Sequence, residues 1–268
     1  MDRCVGWGAG NVGLVSDSLP HRFVLASASP ARRKSLQAAG IEPEVLVSGV
    51  DESVVVTDRA EDLCLELARL KALAVLARLS PAASASEDTG TGKAASTGTG
   101  SAASTGTGSA ASTGTGQRTL IIGCDSVLAF DGEILGKPAD PADATRRWLR
   151  MRGRSGVLHS GHCLIDVADG RRAEAVASTT VHFADISDDE IAAYVATGEP
   201  LAVAGAFTID GLGGPFVERI EGDPGTVVGL SMPLLRRLLA ELGLQITDLW
   251  TTVAPGGQSV EPIGNVRS

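Results

Sequence analysis

The residues between Ser80 and Gly116 are almost all Ala, Ser, Thr and Gly. Within them the octet TGSAASTG occurs at Thr99–Gly106 and again at Thr107–Gly114, after the near-copy TGKAASTG at Thr91–Gly98. A repeat with no side chains to bury cannot be a solenoid unit, because nothing in it offsets the entropy of ordering it. Its composition predicts a disordered insertion over 80–117, with a root-mean-square span of roughly 30–35 Å. That insertion constrains the fold of everything around it. The stretch Arg22–Leu79 in front of it is fewer than sixty residues long. It reads as two strands and two helices, too little for an independent core. The expected organisation is therefore one catalytic domain over 22–250, interrupted at 80–117. A flexible, Gly-rich extension (1–21) would precede it and a polar tail (251–268) would follow.

The first of those pieces carries a local pattern with chemical content. Arg22–Ala26 reads as a strand, and Ala31–Ala39 as a short helix. Ser29 stands in the N-cap position, Pro30 at N1 and Gly40 at the C-terminal stop. A strand, a turn of small residues and a helix N-terminus together present free N–H groups and a partial positive charge, which suits an anion. Arg32 and Arg33 lie in the first turn, where they oppose the helix dipole and an anion would relieve them. Two readings stand side by side: an anion-binding loop, and a capped surface helix with solvated arginines.

Further along, Val45–Ser48 reads as a strand and Ala60–Leu79 as a long helix. Thr119–Gly123 and Val127–Phe130 read as strand on either side of a polar break. Asp131-Gly132 is a hairpin turn, with Glu133–Leu135 returning. Pro141–Met151 reads as a helix capped by Asp140. Val157–Val167 and Ala173–Ala184 read as strands. Ser187–Glu190 is a capping box opening a helix, and Ser231 caps a last helix, Pro233–Leu242. The mixture predicts an α/β fold.

Composition narrows the function. Of 268 residues 43% are hydrophobic but only 3% aromatic, so the core must be built from Val, Leu, Ile and Ala. The formal net charge of −9 argues against a general nucleic-acid or membrane-surface binder and leaves room only for a local basic site. Cys4, Cys64, Cys124 and Cys163 match no metal-knuckle or C-x-x-C spacing and read as free thiols in a reducing compartment, so a cytoplasmic location is expected.

Taken in order, the motifs resemble a known family. They are LASASPARRK (Leu25–Lys34), GVDES (Gly49–Ser53), LARLKA (Leu67–Ala72), IIGCDSVLAFDGEILGKP (Ile121–Pro138) and the long run Gly198–Leu230. Together they are similar to the Maf family, with the C-terminal stretch through Leu249-Trp250 closest to actinobacterial members. The family was first associated with inhibition of septum formation. The resemblance implies an elongated fold of the inosine-triphosphatase-like type, with a mixed central sheet, flanking helices and a central cleft. It implies a nucleoside triphosphate pyrophosphatase that yields a nucleoside monophosphate and pyrophosphate and clears non-standard nucleotides. It further implies a divalent cation, Mg²⁺ before Mn²⁺, and allows for a homodimer.

Carried over residue by residue, Asp125 stands at the catalytic acid position and joins Glu52 in holding the metal. Ser27 and Arg32 match phosphate-contacting residues, and Lys71 and Lys137 match lysines facing the triphosphate. Three departures fall at positions tied to base choice: Ala31 where many members have Arg, Ser126 where subfamilies have Thr or Gln, and Asp210 where the thymidine/uridine-specific subfamily has Gln. A subfamily acting on 7-methylguanosine triphosphate has Glu at that last position. An acid at 210 could accept hydrogen bonds from a guanine-type edge. The alternative function is a nucleotide-binding regulator of division without essential catalysis, and retention of Asp125 favours the enzyme.

Other signals weigh less. Gly8–Gly13 spells G-x-G-x-x-G but lacks the preceding strand a dinucleotide site needs. His159 and His162 would lie on opposite faces of a strand, which disfavours a shared metal. Cys124 has no matched His partner and should point away from Asp125. Asp51 either joins the metal shell or faces solvent.

Overall fold

A computed structural model of the chain describes residues 21–79 and 117–250. The N-terminal G-x-G-x-x-G, the Ala/Ser/Thr/Gly repeat and the C-terminal tail lie outside the described residues. The architecture is α/β, with a seven-stranded mixed sheet in the order β2-β1-β3-β5-β6-β7 and β4 paired to β3. Strand β1 (Arg22–Leu25) is followed by α1 (Pro30–Ala38), β2 (Glu44–Val45) and α2 (Ala60–Leu79). After the repeat come β3 (Thr119–Phe130), β4 (Glu133–Leu135), α3 (Pro141–Met151), β5 (Ser155–Asp166) and β6 (Arg172–Phe183). The chain closes with α4 (Asp188–Ala196), β7 (Val217–Glu221), α5 (Pro224–Val228) and α6 (Met232–Glu241).

β1, from before the repeat, runs parallel to β3, from after it, over Arg22–Leu25 against Thr119–Ile122. The two sequence segments therefore share one sheet. β3, β5 and β6 form a long antiparallel meander.

The helix starts follow the sequence chemistry. Ser29, Asp140, Ser187 and Ser231 each accept a backbone N–H at a helix N-terminus, and Ser187 with Glu190 completes the capping box. Asp131 and Gly132 both take positive φ, as a type I′ hairpin turn requires.

Two expectations differ from the structure. The strand expected at Val45–Ser48 is reduced to Glu44–Val45, because only those residues pair with β1. The polar break at Cys124–Ser126 is not a break. β3 runs unbroken through it, since β5 pairs with it on one edge throughout and the polar side chains find partners on both faces.

Side chains of β3 alternate between two layers. Ile121, with Ala68, Ala72 and Val75 of α2 and Cys163 and Ile165 of β5, forms one layer. Leu120, Ile122 and Cys124 face the other way, packing with Leu36 of α1 and Leu234, Leu235, Leu238 and Leu239 of α6. Most of the described aromatics gather elsewhere: Trp148 makes edge-to-face contacts with Phe183, Tyr194 and Phe216.

α2 approaches the sheet closely at two glycines. A Cβ on Gly123 would lie 2.1 Å from the Ala68 carbonyl oxygen, and one on Gly161 would lie 2.3 Å from the Cys64 carbonyl oxygen.

Candidate active site

The other edge of β3 is paired at both ends and open in the middle. β1 covers it over Thr119–Ile122, and β4 returns over Leu128–Phe130. Between them Gly123–Val127 face a gap, and the site is built in that gap.

Asp125 projects from β3 toward α2. Lys71 lies in the buried stripe of α2 formed by Cys64, Leu67, Ala68, Ala72 and Val75. Its Nζ is 2.5 Å from Asp125 Oδ1 and 2.7 Å from Glu52 Oε1. Lys71 and Asp125 are both buried, whereas Glu52 comes from an exposed 3₁₀ turn, Glu52–Val54. Desolvation pushes the Asp125 carboxyl above its ordinary range, against the opposing charges of Lys71 and Arg32. Two carboxylates thus converge on one cationic centre.

Asp51 does not join them. Its Oδ1 accepts the Ser53 backbone N–H at 3.0 Å and the Ser53 hydroxyl at 2.7 Å, capping the turn and holding its carboxyl below the usual range.

On the other side of the gap the turn after β1 delivers Ser27, and the first turn of α1 delivers Arg32; both are buried. Arg32 donates from Nη1 to Ser27 Oγ at 2.9 Å and to the Cys124 carbonyl at 2.8 Å. It also donates from Nε to the Gly229 carbonyl at 2.9 Å and from Nη2 to Ser126 Oγ at 3.1 Å. Ser126 is 2.7 Å from Ser160 Oγ, whose proton goes to the Thr226 carbonyl at 2.8 Å.

The structure therefore brings together Ser27, Arg32, Glu52, Lys71, Asp125 and Ser126. Ala31 lies in the same first turn of α1, half-buried. Lys137 is exposed on the loop after β4. Among the described residues, none of the cluster's hydrogen bonds or ion pairs involves its side chain, but its loop is fixed: the Gly136 carbonyl accepts Arg147 Nη1 at 2.6 Å and the Gly205 N–H at 3.1 Å. Asp210 is exposed on the loop Thr208–Gly213. That loop is pinned by Glu199, which accepts from the Leu212 and Gly213 backbone N–H groups at 3.0 Å each and from the Thr208 hydroxyl at 2.5 Å. Sequence reasoning passed over Ser160, Thr226, Gly229 and Glu199. Gly229 carried the one readable signal, a glycine ending the short run Thr226–Val228 before the capping Ser231.

The discounted residues sit where packing needs them. Cys124 faces the α6 core, away from Asp125, with its thiol pushed up to about 11 by burial. His159 and His162 point to opposite faces: His159 meets Ser178 Oγ at 2.8 Å, and His162 Nε2 accepts the Ser231 N–H at 2.9 Å. Burial holds His162 down at about 4, which suits the acceptor role.

Residues 22–242 match the family described as Maf-like protein. The chain belongs to the Maf family. A protein of Salinispora tropica named nucleoside triphosphate pyrophosphatase is 71% identical over 237 residues, covering 88% of this chain and 91% of that one. Proteins of the same name from Streptomyces coelicolor and Thermosynechococcus vestitus are 51% and 48% identical, each covering 85% of this chain, with 94% and 96% of their own lengths matched. The Maf match begins at β1 and runs through α6, so it spans both walls of the gap in β3.

Proposed function

We propose that this chain hydrolyses a nucleoside triphosphate between its α- and β-phosphates, leaving a nucleoside monophosphate and pyrophosphate. The observation that carries this reading is the convergence of Asp125 and Glu52 on Lys71 in the gap of β3, opposite the capped N-terminus of α1. The printed names of the relatives support the same activity.

The donor set fits a divalent cation. Glu52 and Asp125 already flank one positive centre, the Lys71 ammonium. Mg²⁺ is commonly held by one or two carboxylates, with waters and substrate phosphates completing its shell. When bound there, the ion would supply charge neutralisation on the phosphate oxygens.

The chain's own residues supply the rest. Asp125, raised by burial, is tuned to orient a water and take its proton as the water attacks the α-phosphorus. Lys71 is then free to leave its carboxylates for the negative charge gathering on the phosphates. Ser27 and the α1 N-terminus offer hydrogen-bond donors to the same oxygens. Lys137, on its fixed loop, would meet the leaving pyrophosphate.

Asp210 supports a preference for guanine-type bases, since an exposed carboxylate on a pinned loop can only accept hydrogen bonds. Pyrophosphate release from a panel of triphosphates with Mg²⁺ tests both levels. Release from none of them would overturn the activity. Equal or better rates with UTP or dTTP would overturn only the base preference.

A further inference from the structure

The open stretch of β3 leaves a carbonyl without its strand partner. In the parallel ladder the Ala26 N–H reaches the Ile122 carbonyl at 2.9 Å, and β1 then ends. The next outward carbonyl on that edge is Cys124, and Arg32 Nη1 fills it at 2.8 Å.

A guanidinium has five N–H groups in a rigid fork. Here four are already committed: Nε to the Gly229 carbonyl, both of Nη1 to Cys124 and Ser27, and one of Nη2 to Ser126. The fork leaves no slack on its Gly229 side, where a Cβ would lie 3.0 Å from Arg32 Nε and the backbone φ is +108°. Arg32 therefore ties together the turn after β1, the middle of β3 and the α5–α6 connection, with a single N–H to spare.

Ser27 shows what this arrangement accomplishes. Its Oγ accepts from Arg32 Nη1 at 2.9 Å and from the Ser29 N–H at 3.2 Å. A hydroxyl oxygen has two lone pairs, so both are filled and only its own proton remains to be given. A buried hydroxyl in that state is a committed donor at the mouth of an α-helix N-terminus.

Resting on the triphosphate reading above, we infer that Arg32 is a positioning residue. It stands in for the absent strand at Cys124 and fixes Ser27 as the hydroxyl that donates to a phosphate oxygen. The phosphate contact belongs to Ser27, and Arg32 acts through it.

A double-mutant cycle tests this with inorganic tripolyphosphate as the probe, titrated in magnesium chloride by calorimetry. Binding is independent of turnover, so failure of the hydrolysis reading would show separately, as tripolyphosphate binding without pyrophosphate release from any nucleotide. Ser27→Ala removes the donor and should weaken binding roughly 10–100-fold, the worth of a charge-assisted hydrogen bond. Arg32→Lys keeps the charge but cannot fill the fork. It should weaken binding by a similar factor, and the double variant should be no weaker than the worse single variant. Losses that multiply would mean that Arg32 grips the phosphate itself and would overturn the inference. So would unchanged binding by Arg32→Lys, or no binding by the unaltered chain. Thermal melts accompany each variant. If Arg32→Lys is unfolded at the assay temperature, the same cycle runs with Arg32→Gln, whose amide still donates two N–H bonds, and is judged by the same outcomes.

Discussion

The Lys71 ammonium lies 2.5 Å from a carboxylate oxygen of Asp125, and both side chains are nearly sealed from water. Such a pair is sensitive to loss of either partner, because the remaining charge is buried without compensation. Lys71→Met removes a charge that lowers the Asp125 pKa, so that pKa should rise further. The acid limb of the pH profile for kcat/KM should move to higher pH, and turnover at pH 7 should fall at least about tenfold. An acid limb that stays in place would show that Asp125 is not the group it reports.

Asp125→Asn separates chemistry from folding. Turnover should fall roughly 10²–10⁴-fold, as loss of a general base predicts. Stability should behave differently. Burial raises the folded pKa of Asp125 above its unfolded value, so its ionisation costs stability as pH rises through the folded pKa. Glu52 still pairs with Lys71 at 2.7 Å in this variant, so the neutral amide should keep a melting temperature near that of the original at pH 7, read by calorimetry. A large drop would mean that the carboxylate is needed to hold the sheet.

The sequence made part of this site legible and hid the rest for physical reasons. Local chemistry was readable: Ser29 and Pro30 announced the start of α1, and Asp131-Gly132 announced the hairpin. Lys71 was legible only through the family resemblance, as a lysine facing the triphosphate; its place in the buried stripe of α2 came from the fold. The continuity of β3 through Cys124-Asp125-Ser126 was not readable, because the partners that make those residues acceptable come from far along the chain: Lys71, Arg32 and Ser160. Likewise nothing local to Glu199 shows that it gathers the loop carrying Asp210; only the fold places it there.

The closeness of α2 to the sheet gives a packing prediction. In Gly123→Ala the new methyl would meet the Ala68 carbonyl, so α2 must move, carrying Lys71 away from Asp125. The expected loss of stability is about 1–3 kcal/mol or more, as for other overpacked cores, with turnover falling alongside it. A stable, fully active variant would contradict the stated fit of helix to strand.

His162 sets an acid limit on the fold. It accepts the Ser231 N–H only when neutral, and its folded pKa of about 4 lies below the ordinary 6.5. The unfolded chain thus binds the extra proton first. Stability from this group is complete above about pH 6.5 and is lost as pH falls toward 4, by about 3 kcal/mol in the limit. His162→Gln should flatten the acid side of a melting-temperature profile between those values, and an unchanged profile would rule this group out as the cause.

Chelation examines the cation. EDTA should abolish pyrophosphate release and added Mg²⁺ should restore it, while Glu52→Gln should raise the Mg²⁺ concentration needed for half-maximal rate. Full activity after exhaustive chelation would show that no cation takes part.

Hydrolysis in ¹⁸O-labelled water, with products read by ³¹P NMR or mass spectrometry, locates the phosphorus that water attacks. Attack at the α-phosphorus puts one ¹⁸O in the nucleoside monophosphate and none in the pyrophosphate, with both products lost in Asp125→Asn. Label in the pyrophosphate, or orthophosphate with a nucleoside diphosphate as the products, would contradict it.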